Sequence, residues 1–257
     1  MIDQLRLAID VDTSPFYVKE GKPIHFMDRL FHPSTHYTKQ GFPISWHSKE
    51  ASADYYLKFD TRRGLMTMEL SLWKYWCGHN ACLFSIFDAQ ETVVSLINEI
   101  SQNIWEQLVL QAELGVFFVH PADLITQVRL TYRKKGFVPM YWKASNKQYG
   151  WQYRSHNFVI KLYSVNHKER IARQAPTAPP NSYRFEVRYL KTHFIRKHGV
   201  RQLWDLCKAN SELLLHFHKI CASCQMILMP ELPSGTSPNI AKDFFLYFSN
   251  NIQATTT

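Results

Sequence analysis

Tyr183-Arg184-Phe185-Glu186-Val187-Arg188-Tyr189 alternates an apolar side chain with a charged one at every step. A period of two belongs to a β-strand, whose successive side chains leave opposite faces of a sheet. One face of this strand is apolar and the other carries Arg184, Glu186 and Arg188. A strand of this kind belongs to an antiparallel sheet covered on one side, leaving the other face to gather polar groups.

Other segments repeat the pattern. In Asn157–Ser164, Phe158, Ile160 and Leu162 alternate with Val159, Lys161 and Tyr163. Near the start, Leu5, Leu7, Ile9 and Val11 alternate with Arg6, Ala8 and Asp10. Tyr55–Asp60 and Leu65–Leu72 read as strands around the turn Thr61-Arg62-Arg63-Gly64, and two more follow at Ile125–Arg133 and Val138–Trp142. Residues 13–54, rich in His, Pro and Ser, read as loops and short pieces.

Asp88 and Glu91 resemble a capping box, after which Val93, Ile97, Ile100, Ile104 and Leu108 recur at helical spacing until Gly115. Lys191–His198 and Arg201–Gln225 read as helices parted by Gly199, and Phe244–Phe248 is a further apolar piece. Strands with a long helix among them, and helices last, predict an α+β fold. A central, largely antiparallel β-sheet should hold residues 2–11, 55–72, 125–142, 157–164 and 183–190, with helix 88–114 on its apolar face. Residues 1–190 are expected to form this α+β domain, and 191–257 a helical C-terminal extension packed on it.

The charge is uneven. Residues 129–201 hold 17 Lys/Arg against Glu169 and Glu186, a local +15 in a chain of +9, which leaves −6 for the rest. The same window carries 13 aromatics, among them Trp142, Tyr149, Trp151 and Tyr153, with Lys143 beside Trp142. Lys and Arg neutralise phosphates, and flat rings stack on unpaired bases. This interleaving points to nucleic acid, including a single-stranded stretch. At 257 residues with 46% apolar and 20% charged content, the chain is globular. It has no apolar run of about 18 residues, so no membrane span is expected. The start lacks the pattern of a signal peptide, and five cysteines without framework spacing fit reduced thiols, so a cytoplasmic protein is expected.

Three polar strand faces stand out: Glu69, Lys161 with Tyr163, and Arg184 with Glu186 and Arg188. A tyrosine beside lysine and carboxylates suits phosphodiester transesterification. The phenol must lose its proton, a divalent cation must polarise the phosphate, and a cation must offset developing charge. From pattern alone, packing is the commoner use of such a tyrosine.

Met68-Glu69-Leu70-Ser71-Leu72-Trp73-Lys74 with Gly78-His79-Asn80 resembles the Glu-x-Ser/Lys…Gly-His-Asn run of phage and plasmid replication proteins of the II/X family, which includes the filamentous-phage gene II and gene X initiators. Asn157–Tyr163 with Lys168-Glu169 resembles that family's strand ending in tyrosine. Tyr183–Arg188, continuing through Phe194–Gly199, resembles its Arg-Phe-Glu-x-Arg strand and following helix. The opening Met1-Ile2-Asp3 agrees as well. The matches run in the family's order over roughly residues 1–205.

The resemblance implies an HUH-endonuclease-like fold and rolling-circle initiation. One strand of an origin would be nicked by tyrosine attack, giving a 5′-phosphotyrosine link and a free 3′ hydroxyl. It makes Tyr163 the nucleophile, with Lys161 and Lys168 as catalytic candidates. Glu69, His79 and Glu186 become candidate ligands of Mg²⁺ or Mn²⁺. Arg184, Arg188, Trp142, Trp151 and Lys143 become candidate contacts to double- and single-stranded origin DNA, with host helicase and polymerase as further partners and no membrane. The chain departs from the family at Arg129, where an Asp is usual, and Lys168 and Glu169 fall later after the tyrosine than in the family. A homologue that binds DNA without cutting, and an RNA-binding accessory protein, are the alternatives.

His216-Phe217-His218 spells a metal-binding pattern that requires a strand. In a helix a two-residue step turns side chains about 200° apart. Cys221-Ala222-Ser223-Cys224 has the spacing of half a zinc site without a second cysteine pair, so buried thiols are expected.

Overall fold

The computed structural model describes residues 2–19, 21–48, 55–78, 84–100, 103–121, 123–125, 127–141, 146–171, 178–208 and 210–228. In chain order the first strands are β1 (Ile2–Ile9), β2 (Ile24–Phe26), β3 (Arg29–Pro33), β4 (Ser45–Ser48), β5 (Tyr55–Asp60), β6 (Leu65–Ser71) and β7 (Leu108–Val119). They are followed by β8 (Val128–Tyr132), β9 (Lys135–Gly136), β10 (Val138–Tyr141), β11 (Gln148–Arg154), β12 (Phe158–Ser164), β13 (Ser182–Tyr189) and β14 (Cys224–Leu228). The helices are α1 (Leu72–Cys77), α2 (Ile86–Ile100), α3 (Val165–Ile171), α4 (Thr192–Lys197), α5 (Leu203–Leu206) and α6 (Glu212–Ser223).

The fold is α+β. Among the described residues, eleven strands form one antiparallel sheet in the order β10-β11-β12-β13-β7-β1-β6-β5-β4-β3-β2, and β14-β8-β9 form a second, smaller one. The alternation in β13 holds: Tyr183, Phe185, Val187 and Tyr189 join the core, where Phe185 meets Phe217 of α6 with ring centroids 6.3 Å apart. The apolar rows of β1, β6, β7 and β12 share that core with Ala89, Val93 and Leu96 of α2 and with Leu213, Leu214, Phe217 and Ile220 of α6.

Several expectations need correction. The helix read over 88–114 ends at Ile100, and Leu108–Val119 is instead the central strand β7 between β1 and β13. Its run Leu-Val-Leu-Gln-Ala-Glu-Leu-Gly-Val-Phe-Phe-Val is rich in residues that fit a pleated surface, and tertiary pairing on both sides decides the matter. The stretch 125–142 does not enter one sheet: β8 pairs with β14 on one side and β9 on the other, and only β10 lies in the large sheet. Residues 13–54 supply β2, β3 and β4 of the large sheet, short strands whose polar residues hide a period of two. The helix read over 201–225 divides into α5 and α6, and Cys224 and Gln225 begin β14. Cys77 is disulfide-bonded, against the expectation of reduced thiols throughout, whereas Cys207, Cys221 and Cys224 are free. His79, Trp142, Lys143 and Phe244–Phe248 lie outside the described residues.

Candidate active site

Four neighbouring strands, β12, β13, β7 and β1, build the site on the polar face of the large sheet. Their register sets Lys161 opposite Glu186 and Glu186 opposite Gly115, while Tyr163 lies opposite Arg184. One step along, Arg188 lies opposite Glu113. In β1 the pairing passes from Ile2↔Leu114 to Leu5↔Ala112, so Asp3 and Gln4 together oppose the single residue Glu113. This is a β-bulge, and it re-aims a side chain. Asp3 shares its parity with Leu5, Leu7 and Ile9, and the bulge turns it out of the apolar row to the polar side.

Asp3, Glu113 and Glu186 come together there, buried, each with a carboxylate oxygen within 4.8 Å of the others. Three cations answer them. Arg184 reaches Asp3 at 2.7 Å and Glu186 at 3.2 Å, with its guanidinium 4.2 Å from the ring centroid of Trp73 in α1. Lys161 Nζ stands 3.1 Å from Glu113 Oε2 and 3.5 Å from Glu186 Oε2. Arg188 donates to Glu113 and, at 2.6 Å, to Gln4. Ser71, which caps α1 by accepting from the Lys74 N–H, donates to Asp3 at 3.0 Å.

The Tyr163 hydroxyl donates to Glu186 Oε1 at 2.5 Å. Lys168 of α3 lies 4.7 Å from the centroid of the same ring. Glycine makes room on both sides. A Cβ at Gly115 would stand 3.1 Å from Glu186 Cγ, and one at Gly150, opposite Tyr163, would stand 2.7 Å from Tyr163 Cβ. The result is a cavity of about 300 Å³, bordered by the three acids, the three cations, Tyr163, Lys168 and Lys74.

Burial and the charge of Glu113 raise the Glu186 carboxyl to about 7. Burial also opposes ionisation of Glu113, but Lys161 and Arg188 outweigh it and bring its pKa down to about 2. Burial and the Glu186 charge push the Tyr163 phenol well above its ordinary value.

Of the residues singled out in the sequence, the structure unites Tyr163, Lys161, Lys168, Arg184, Arg188 and Glu186 around this cavity. Arg184, a candidate DNA contact, is 1% exposed and lies in buried ion pairs with Asp3 and Glu186. Glu69 is on β6, bound to Arg6 at 3.4 Å and outside the acid trio. Trp151 is part-buried and packs against the core. Arg129 sits on β8 in the small sheet, so the departure from the family there removes no carboxylate from the trio. Asp3 and Glu113 were missed. The bulge hid the first, and the helix reading hid the second, although Gly115 in a β-rich run was a usable signal.

His216 and His218 sit on helix α6 as expected, with His216 3.1 Å from the Tyr189 hydroxyl and His218 exposed. Among the described residues, Cys221 and Cys224 belong to no group of three potential ligands. No described helix is long and apolar enough to cross a membrane.

The donor set suits a hard divalent cation: three carboxylates, oxygen ligands only, such as Mg²⁺ or Mn²⁺ favour. No protein-family model matches the chain, and no curated protein matches it. Among solved structures, the chain is similar to a rolling circle replication initiator protein from Geobacillus stearothermophilus. The likeness has 11% identity and a TM-score of 0.42, over 99% of this chain and 96% of that one.

Proposed function

We propose that this protein is a metal-dependent, tyrosine-nucleophile DNA nickase with an HUH-endonuclease-like architecture, acting as a rolling-circle initiator on a phage or plasmid origin. The observation that carries this reading is the 2.5 Å hydrogen bond from Tyr163 to Glu186, a member of a buried acid trio bordered by lysines in an open cavity. The ordered resemblance to the II/X replication proteins and the basic, aromatic window support DNA as the substrate.

Glu186 divides its two oxygens. Oε1 faces the phenol, whose proton it accepts, and Arg184 Nε at 3.2 Å, while Oε2 faces Lys161 at 3.5 Å. The Tyr163 oxygen then bonds to phosphorus and the P–O3′ bond breaks. Tyrosine is left esterified to the 5′ phosphate, and the departing 3′ oxygen takes a proton from solvent while the phenol proton stays on Glu186. Lys161 and Lys168 offset charge on the phosphate. Bound at Asp3, Glu113 and Glu186, a divalent cation would supply Lewis-acid polarisation of the phosphate.

Three observations favour the second reading, a homologue that binds DNA without cutting. Tyr163 is 4% exposed, its phenol resists ionisation, and the acids are already matched by cations. Incubation with a supercoiled origin plasmid and Mg²⁺ or Mn²⁺ separates the two. Nicked product with covalently attached protein is expected, and Tyr163→Phe should abolish both while leaving DNA affinity within about twofold, since only the attacking oxygen is lost. DNA that is bound but never nicked would establish the second reading, and nicking by Tyr163→Phe would remove this tyrosine from the mechanism.

A further inference from the structure

We propose that the ammonium of Lys161 occupies the seat of the divalent cation in the metal-free protein, and that cation binding displaces it toward the mouth of the cavity, where it meets the DNA phosphate. The inference rests on the reading of Asp3, Glu113 and Glu186 as metal ligands.

Position comes first. Lys161 Nζ lies 3.1 Å from Glu113 Oε2 and 3.5 Å from Glu186 Oε2, bridging two of the three carboxylates whose oxygens lie within 4.8 Å of one another. A divalent ion binds carboxylate oxygens at roughly 2.0–2.6 Å, so it needs the same small volume between them. Both cations cannot stand there together.

Charge gives the second reason. Three carboxylates face Lys161, Arg184 and Arg188, so with all three acids ionised the formal charges of the buried site balance without a metal. Two further positive charges entering that balance would be repelled in a setting where water screens poorly, unless a resident cation leaves.

The three residents are not equally free to go. Arg184 has 2% side-chain exposure and is held by Asp3, Glu186 and the Trp73 ring. Arg188 is tied by its fork to Glu113 and Gln4. Lys161 is held only by carboxylates, has 18% side-chain exposure and borders the cavity on a flexible four-carbon stem. Arg188 is more exposed, at 37% of its side chain, but its departure would break hydrogen bonds to both Glu113 and Gln4, whereas Lys161 gives up carboxylate contacts alone. Displaced, it delivers its charge to the side of the site from which a phosphate enters. Cation and DNA would then each favour the binding of the other.

Two measurements on the full chain test this. In the wild type, acylation of lysines by an amine-reactive ester, read by mass spectrometry, should modify Lys161 at least about threefold more at saturating Mn²⁺ than without metal, because burial in an ion pair protects an amine. Mn²⁺ titration followed by electron paramagnetic resonance should show Lys161→Met binding at least about tenfold tighter than the wild type, since a competing charge has been removed. If Lys161→Met does not give a cooperative melt, the wild-type labelling decides alone. Mn²⁺ that binds with Lys161 labelling unchanged, or with equal affinity for a folded Lys161→Met protein, overturns the exchange and leaves the metal site standing. Absence of Mn²⁺ binding in both proteins removes the metal site and the exchange together.

Discussion

Gly150 faces Tyr163 across β11 and β12, and a methyl group there would stand 2.5 Å from the Leu162 carbonyl oxygen and 2.6 Å from Met140 Cε. Backbone cannot yield as a side-chain tip can. Gly150→Ala should therefore cost about 1–3 kcal/mol by overpacking, read in denaturant unfolding, and should shift Tyr163 from Glu186. Gly115, whose nearest neighbour would be 3.1 Å away, is the milder case. The charges make a second prediction at this scale. The folded protein holds the Glu186 proton up to about 7, above the carboxylate's ordinary 4.5. That group's contribution to stability is present below its unfolded value and is lost as pH rises through about 7. Glu113 has the opposite sign: its contribution is present above 4.5 and lost as pH falls toward about 2. A cation must displace the Glu186 proton, so Mn²⁺ affinity should rise between about pH 6 and about pH 8 with proton release. Calorimetric titration in two buffers of different ionisation enthalpy checks this; affinity flat over that range would mean that Glu186 binds no metal. Alternation was enough to place Lys161, Tyr163, Arg184, Glu186 and Arg188 on one face. Asp3 was beyond its reach, because a bulge breaks the parity that such reasoning depends on.

Helix α2 carries Val93 and Leu96 in the core with no exposure, while Phe87 on the same helix is 69% exposed. Burial, not hydrophobicity, sets what truncation costs. Leu96→Ala should destabilise by about 2–4 kcal/mol, since transfer and cavity terms add. Phe87→Ala should stay within about 0.5 kcal/mol, as surface changes usually do. Thermal melts of the two variants check the pair, and comparable losses would mean that the Phe87 ring is covered in solution. The same region shows where periodicity misleads. Ile97, Ile100, Ile104 and Leu108 keep helical spacing past the end of α2, yet Ile104 lies in a short 3₁₀ turn and Leu108 opens β7. Spacing of three and four continues by chance across a boundary that tertiary pairing sets. That boundary matters, because β7 brings Glu113 between Asp3 and Glu186. The strands with clean alternation were legible because each buries one face. β2, β3 and β4 are too short and too polar for a period to emerge.

Over the whole molecule, part of the +15 window is answered internally: Lys161, Arg184 and Arg188 pair with Glu186 of the window and with Asp3 and Glu113 from outside it. Composition could reveal the charge asymmetry but not which charges remain for a partner. Those left on the surface include Arg133, Lys134 and Lys135, at the turn between β8 and β9. Arg133 and Lys134 hold φ of 48° and 64°, the left-handed region that a two-residue hairpin turn requires and that Asn-Gly fills more easily. Charged residues are thus kept where the backbone favours others, which makes the turn a sensitive place to test DNA binding. Replacing Arg133 by Asn and Lys134 by Gly together removes two charges while relieving the backbone, so thermal stability should hold or rise slightly. If the exposed cations carry DNA binding, affinity should fall. The slope of log affinity against log salt should flatten by about 0.9 for each phosphate that is no longer neutralised. Arg184→Ala is the contrasting case. It strips the partner from buried Asp3 and should cost about 3–5 kcal/mol of stability through an uncompensated charge, with the salt slope of the folded fraction unchanged. Anisotropy titrations of a labelled duplex and a labelled single strand across a salt series read both variants. A slope that Arg184→Ala flattens and the turn replacement leaves untouched would move the DNA path from the exposed cations to the interior of the cavity.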